Sequence, residues 1–76
     1  MNQAILFNDD LNFNHVHQAW SMTGVISGQI ITIYFHSLGL ARTTEIDSCT
    51  KYDLEEIAEL WFEKNEPEGG EVHINI

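Results

Sequence analysis

A predicted β-hairpin constrains the fold of this chain more than any other feature of its sequence. Ser27-Gly28 separates two segments rich in β-branched and aromatic residues, and glycine tolerates the positive φ that a two-residue turn requires. The hairpin spans about residues 17–36 and pairs Trp20 with Phe35. Paired residues share a face of an antiparallel ladder, so one face is apolar. Its residues are Trp20, Met22, Ile26, Ile31, Ile33 and Phe35. A one-residue slip would turn them to the opposite face, so the pattern predicts the register as well.

Short strands are predicted near both ends of the chain. Residues 3–7 are mostly apolar, and the turn-forming Asn8 follows them. Near the other end, Val72, Ile74 and Ile76 alternate with polar residues, which is typical of a strand with one apolar face. Residues 11–14 are compatible with a loop. Both predicted strands can extend the hairpin into a sheet.

One amphipathic helix is predicted between the hairpin and the last strand. Apolar residues from Leu54 to Trp61 follow the spacing i, i+3, i+4, i+7. Thr44 and Thr50 each begin a segment that resembles a capping box, so the helix start stays open between them. Pro67 lies beyond the expected end of the helix.

These elements predict an α+β fold. A small, largely antiparallel sheet, made of the hairpin and the two terminal strands, is packed on one face by the single helix. A chain of 76 residues fits one domain, residues 1–76. The net charge of −9 would repel phosphate, so direct binding to nucleic acid or to an anionic membrane is not expected. One cysteine and the lack of a long apolar segment favour a cytoplasmic protein without membrane association.

Three segments together resemble domain-of-unknown-function family 1488, a family of small proteobacterial proteins. The segment NQAILF ends in Phe7 and is closely followed by Asp9, and the hairpin TGVISGQIITIYFHSLGL has Gly28 in its turn. The acidic helix KYDLEEIAELW has Ala58 on its inner side. The resemblance covers nearly the whole chain. It implies a compact α+β fold and an uncharacterised function, and it supplies no catalytic residues.

The predicted helix carries much of the negative charge. Residues 45–76 have a net charge of −8, against −1 for residues 1–44. The helix glutamates fall within an arc of about 100° on a helical projection. They are Glu55, Glu56, Glu59 and Glu63. Such a face is typical of a solvated helix, of a surface that binds a basic protein partner, or of a mimic of nucleic-acid phosphates. We expect partner binding through this face and the neighbouring Phe62.

Surplus apolar surface raises the question of self-association. Leu60 and Phe62 lie at the two edges of the apolar stripe of the helix, and Val25, Ile30 and Tyr34 lie on the second face of the hairpin. One helix cannot cover both faces of a sheet. Either residues 8–18 fold over the second face, or a second copy of the chain covers it.

The histidines indicate an alternative function. His15 and His17 would point the same way on an extended strand, and the hairpin register brings His17 near His36. Three imidazoles can bind zinc, nickel or copper, so His15, His17 and His36 form a candidate metal site.

No motif of nucleophilic, phosphate-binding or zinc-hydrolase chemistry occurs in the sequence. An enzyme is therefore not expected, and no cofactor is implied. The sequence predicts a small, acidic, cytoplasmic interaction or regulatory module, with transition-metal binding as the alternative.

Overall fold

The computed structural model describes residues 5–76 and has the predicted α+β fold. A mostly antiparallel sheet packs against one long helix. In chain order the elements are β1 (Leu6–Phe7), β2 (Asn12–Asn14), β3 (Ala19–Ile26), β4 (Gln29–His36), α1 (Leu38–Ala41), α2 (Ser48–Lys64) and β5 (Glu71–Asn75). Gln3 and Ala4, which the predicted first strand includes, lie outside the described residues.

Strands β3 and β4 form the predicted hairpin in the predicted register, with Trp20 opposite Phe35. Ser27 and Gly28 both have positive φ, 51° and 78°, as a type I′ turn requires. The hairpin begins at Ala19 rather than near residue 17, because residues 15–18 form a turn in which Gln18 has a φ of 53°.

The two edges of the sheet are built differently. β1 and β2 both pair antiparallel with β3, at its opposite ends, so residues 12–14, whose sequence is also compatible with a loop, form a strand. Gly24 permits the close approach of β1, since a Cβ there would lie 2.8 Å from Ile5 Cδ1. At the other edge of the sheet, β5 pairs parallel with β4, because α2 returns the chain to the end of the sheet at which β4 starts.

Helix α2 begins at Ser48, between the two predicted starts. The Asp47 side chain caps it by accepting a hydrogen bond from the backbone N–H of Thr50 at 2.7 Å. The cap holds the pKa of Asp47 below its ordinary value, mainly through the hydrogen bond from the Thr50 backbone. Thr44 lies in the loop before the helix. Leu38–Ala41 form the short helix α1, whose Leu40 carbonyl accepts a hydrogen bond from Trp20 Nε1 at 2.9 Å.

The core lies between α2 and the predicted apolar face of the hairpin. Its buried residues are Met22, Ile26, Ile31, Ile33, Phe35, Leu54, Ala58, Phe62, Val72 and Ile74. Ile76, predicted to share the apolar face of the last strand, follows the end of β5 and is 56% exposed. No helix within residues 5–76 has the length and apolar character needed to cross a bilayer.

Candidate functional site

Two surfaces stand out. The first is the outward face of α2, which we call the acidic face and define by Glu55, Glu56, Glu59 and Glu63. The second is a group of aromatic and imidazole rings on the sheet face that α2 leaves uncovered, which we call the histidine cluster and define by His17, Tyr34, His36 and His73.

The acidic face is held in place by the core. Leu54, Ala58 and Phe62 recur every fourth residue and are at most 2% exposed, so the rotation of α2 about its axis is fixed. Glu59 and Glu63 lie on the opposite side of the helix and are exposed, as is Glu56. Repulsion between these glutamates is not relieved by neighbouring cations within the described residues.

Glu55 lies at the margin of the acidic face and is partly neutralised. Its carboxylate is 3.9 Å from Lys51 Nζ, and Lys51 also contacts Asp9 from the loop between β1 and β2. The hydrogen bond with Lys51, and then its charge, hold the pKa of Asp9 below its ordinary value. The hydrogen bond with Asp9 raises the pKa of Lys51. Lys51 is the sole cation in ion pairs within residues 5–76. The other three glutamates of the acidic face, Glu56, Glu59 and Glu63, which we call the outer glutamates, therefore remain available to a partner.

The expectation that Phe62 contacts a partner is wrong. Phe62 is 2% exposed and packs in the core, whereas Leu60 is 52% exposed. Helical spacing places these two residues at opposite edges of the apolar stripe, and packing against the sheet selects Phe62 for burial. Tyr52, which the sequence reasoning did not single out, is 63% exposed. Tyr52 and Leu60 therefore place apolar area among the outer glutamates.

The predicted histidine set is only partly brought together. His17 lies over Tyr34, with ring centroids 4.3 Å apart, on the uncovered face of the sheet. His15 instead packs edge-on against Phe13, whose strand partner is Trp20 on the core-facing side. The assignment of His15 to the cluster is wrong, because β2 ends at Asn14 and the following turn separates the two imidazoles.

His73 takes the place expected for His15. Its Nδ1 lies 2.8 Å from His36 Nε2, and its ring stacks on that of Tyr34 with centroids 4.8 Å apart. His73 lies on the polar side of β5, but nothing in the sequence indicates that this strand pairs parallel with β4. That pairing puts His73 beside Tyr34.

The histidine cluster also accounts for part of the surplus apolar surface. Tyr34 is only 7% exposed beneath His17 and His73, and burial, followed by the charge of Glu71, raises its pKa. Of the two ways to cover the second face, folding of residues 8–18 over it is therefore the one that covers Tyr34, through His17. Ile30 remains 66% exposed, so the expectation of a covering second copy stays a prediction for that end of the sheet.

Comparisons with protein-family models, curated proteins and solved structures find no match to this chain. The resemblance to domain-of-unknown-function family 1488 therefore stays a prediction.

Proposed function

We propose that this protein is a non-catalytic interaction module whose acidic face binds a basic protein partner. The observation that carries the proposal is the combination of exposed, unneutralised glutamates with exposed apolar residues on one rigid helix. Glu56, Glu59 and Glu63 supply the charge, and Tyr52 and Leu60 supply the apolar contacts.

The two kinds of contact have different roles in binding. Long-range attraction by the glutamates accelerates encounter with a basic surface and rejects acidic ones. Exposed ion pairs contribute little affinity, so tight binding requires apolar anchors as well. Tyr52 and Leu60 meet that requirement, since both lie beside the glutamates and neither is part of the core.

Charge reversal of the outer glutamates tests the proposal. The triple variant Glu56→Lys, Glu59→Lys, Glu63→Lys should capture at least about fivefold less partner from extracts of the native cells than the unaltered chain, because attraction becomes repulsion. A matched control carries the same charge change at exposed loop positions: Glu45→Lys, Glu66→Lys and Glu68→Lys. Circular dichroism is used to check that both variants fold.

Capture that depends on the acidic face should survive in the loop control and be lost in the helix variant. Equal losses in the two variants would mean that only net charge matters, and the proposal would be rejected. Capture unaffected by the helix variant would also reject it. Leu60→Ser, at unchanged charge, should weaken capture independently of the glutamates.

Cytoplasmic location and self-association belong to the same proposal. A basic cytoplasmic protein is the partner class that the charge favours, and a second copy of so acidic a chain is not favoured at the acidic face itself. We propose that self-association uses the exposed Ile30 end of the sheet. Sedimentation over a range of concentrations measures it directly.

A further inference from the structure

Two imidazole nitrogens face each other on the sheet face that α2 leaves uncovered. His36 Nε2 lies 2.8 Å from His73 Nδ1, and the two ring planes are inclined by only 22°. A hydrogen bond at this distance needs one nitrogen to donate and the other to accept. One lone pair is therefore already directed at the neighbouring ring, and a change of tautomer in the donating ring directs a second lone pair into the same space.

We propose that His36 and His73 together bind one divalent transition-metal ion of the kind that prefers imidazole, such as Zn²⁺. Imidazole nitrogen binds Zn²⁺ at about 2.0–2.1 Å. Two rings that share a tetrahedral zinc ion then have centroids roughly 5 Å apart, and the centroids of His36 and His73 are 5.0 Å apart. To admit the ion, the nitrogens need to separate by about half an ångström, and each ring needs to turn by roughly 30° so that the two lone pairs converge on the metal rather than on each other.

The binding step conserves protons. Both imidazoles bind the ion in their neutral forms, so the ring that donates in the hydrogen bond moves its proton to its other nitrogen by exchange with water. Starting from the neutral pair, no proton is released overall, and no redox change occurs.

His17 lies close enough to supply a third ligand. Its ring centroid is 5.4 Å from that of His73, and it lines, with His36 and Asn75, a depression of about 470 Å³. Within residues 5–76 no three His, Cys, Asp or Glu side chains already converge on one point. A third bond therefore requires the His17 ring to rotate toward the facing pair, and the proposal itself requires only His36 and His73.

The backbone positions of the ligands are set by the sheet. Tyr34 pairs with His73 and His36 with Asn75 along the parallel β4–β5 ladder, and the N–H of Ile76 donates to the carbonyl of His36 at 3.0 Å. The His17 N–H donates to Asn14 Oδ1 at 2.9 Å, which anchors the turn. Ligands held in this way lose little conformational freedom on binding. The net charge of −9 also raises the local concentration of cations.

Calorimetric titration of the full chain with Zn²⁺ tests the proposal. We expect one ion per chain. His36→Gln and His73→Gln should each weaken binding at least about tenfold, since even groups that only orient a metal ligand cost about 10–100-fold when removed. His15→Gln is the matched control, because His15 lies against Phe13 on the other side of the sheet, and it should leave the affinity unchanged.

A second measurement uses the unaltered protein and does not depend on the folding of variants. Long-range ¹H–¹⁵N spectra of the imidazoles should show that Zn²⁺ shifts His36 Nε2 and His73 Nδ1 and leaves His15 unaffected. The proposal is overturned if Zn²⁺ gives no saturable heat, if His15→Gln weakens binding as much as His73→Gln, or if the His15 resonances shift as much as those of the facing pair. The acidic-face triple variant should retain Zn²⁺ binding, so this result is separate from the proposed function.

Discussion

Ser27 adopts a backbone conformation that serine rarely adopts. Its φ is 51°, and the following Gly28 has a φ of 78°. Both residues of a type I′ turn need positive φ, which asparagine tolerates better than serine and which glycine adopts without penalty. The turn therefore retains some strain at Ser27, and the hairpin register depends on the pair.

Two substitutions at the turn should have opposite effects. Ser27→Asn should raise the free energy of unfolding by up to about 1 kcal/mol, because asparagine is favoured at this φ. Gly28→Ala should lower it by about 1–2 kcal/mol for conformational reasons alone, since an added Cβ would meet nothing within 4 Å. Urea denaturation measures both changes. Equal effects of the two substitutions would contradict the assigned turn.

The register of the β3–β4 hairpin can be predicted from the sequence because the interactions that determine it are local. The turn and the alternation of side chains are sufficient to set the register from Trp20–Phe35 to Ile26–Gln29, which is confirmed. The pairing of His73 with Tyr34 is not local, because it depends on the route by which the chain returns after α2. His15 was misplaced although its turn is local, because residues 15–18 contain no glycine or proline to mark a turn, and the sequence therefore also allows a continuous strand.

At the scale of elements, α2 determines which residues are available for function. Its sequence allows several nearby starts, since Thr44, Asp47 and Thr50 are all competent caps. Asp47 is used, and the contact of Lys51 with Asp9 ties the first turns of α2 to the loop after β1. The same placement buries Phe62 and exposes Leu60. The apolar spacing alone does not distinguish these two edge residues.

Alanine substitutions at the two edges of α2 test this orientation. Phe62→Ala should lower the free energy of unfolding by about 3–5 kcal/mol, because it leaves a cavity in the core. Leu60→Ala should change it by no more than about 0.5 kcal/mol, because the side chain is 52% exposed. Chemical denaturation compares the two variants. Similar losses at both positions would show that α2 packs in a different rotation.

The N-cap of α2 should make stability depend on acid pH. The folded-state pKa of Asp47 is lowered, so its stabilising effect is present above the ordinary aspartate value of about 3.9 and is lost as the pH falls through the lower folded value. Asp47→Asn keeps an acceptor without the charge and should lose less stability between about pH 5 and pH 2. Thermal unfolding followed at 222 nm measures the difference. Parallel curves for the two proteins would contradict the assigned cap.

At the scale of the whole molecule, charge is the dominant property. The net charge is −9, and ion pairing within the described residues is confined to Lys51. Folding brings the carboxylates closer together, so repulsion opposes the compact state, and salt reduces it. This loss of stability through carboxylate repulsion is consistent with a surface that binds a partner.

Added salt should therefore stabilise the protein. Raising NaCl from about 20 to about 300 mM should raise the Tm by several degrees, since the screening length falls from about 20 Å to about 6 Å. The triple variant Glu56→Lys, Glu59→Lys, Glu63→Lys changes the net charge from −9 to −3, as each substitution adds two charges, and its Tm should respond less. A Tm that falls with salt would show instead that the Lys51 ion pairs outweigh the repulsion.

An NMR titration shows directly whether the acidic face binds a basic partner. A lysine-rich amphipathic helical peptide would be added to the ¹⁵N-labelled chain at about 150 mM NaCl, where nonspecific attraction is screened beyond about 8 Å. We expect saturable shifts concentrated on the outward side of α2, from Tyr52 to Glu63. These shifts should be retained in the loop control and absent from the helix triple variant. Shifts spread evenly over all acidic segments, or no saturable shifts at α2, would contradict it.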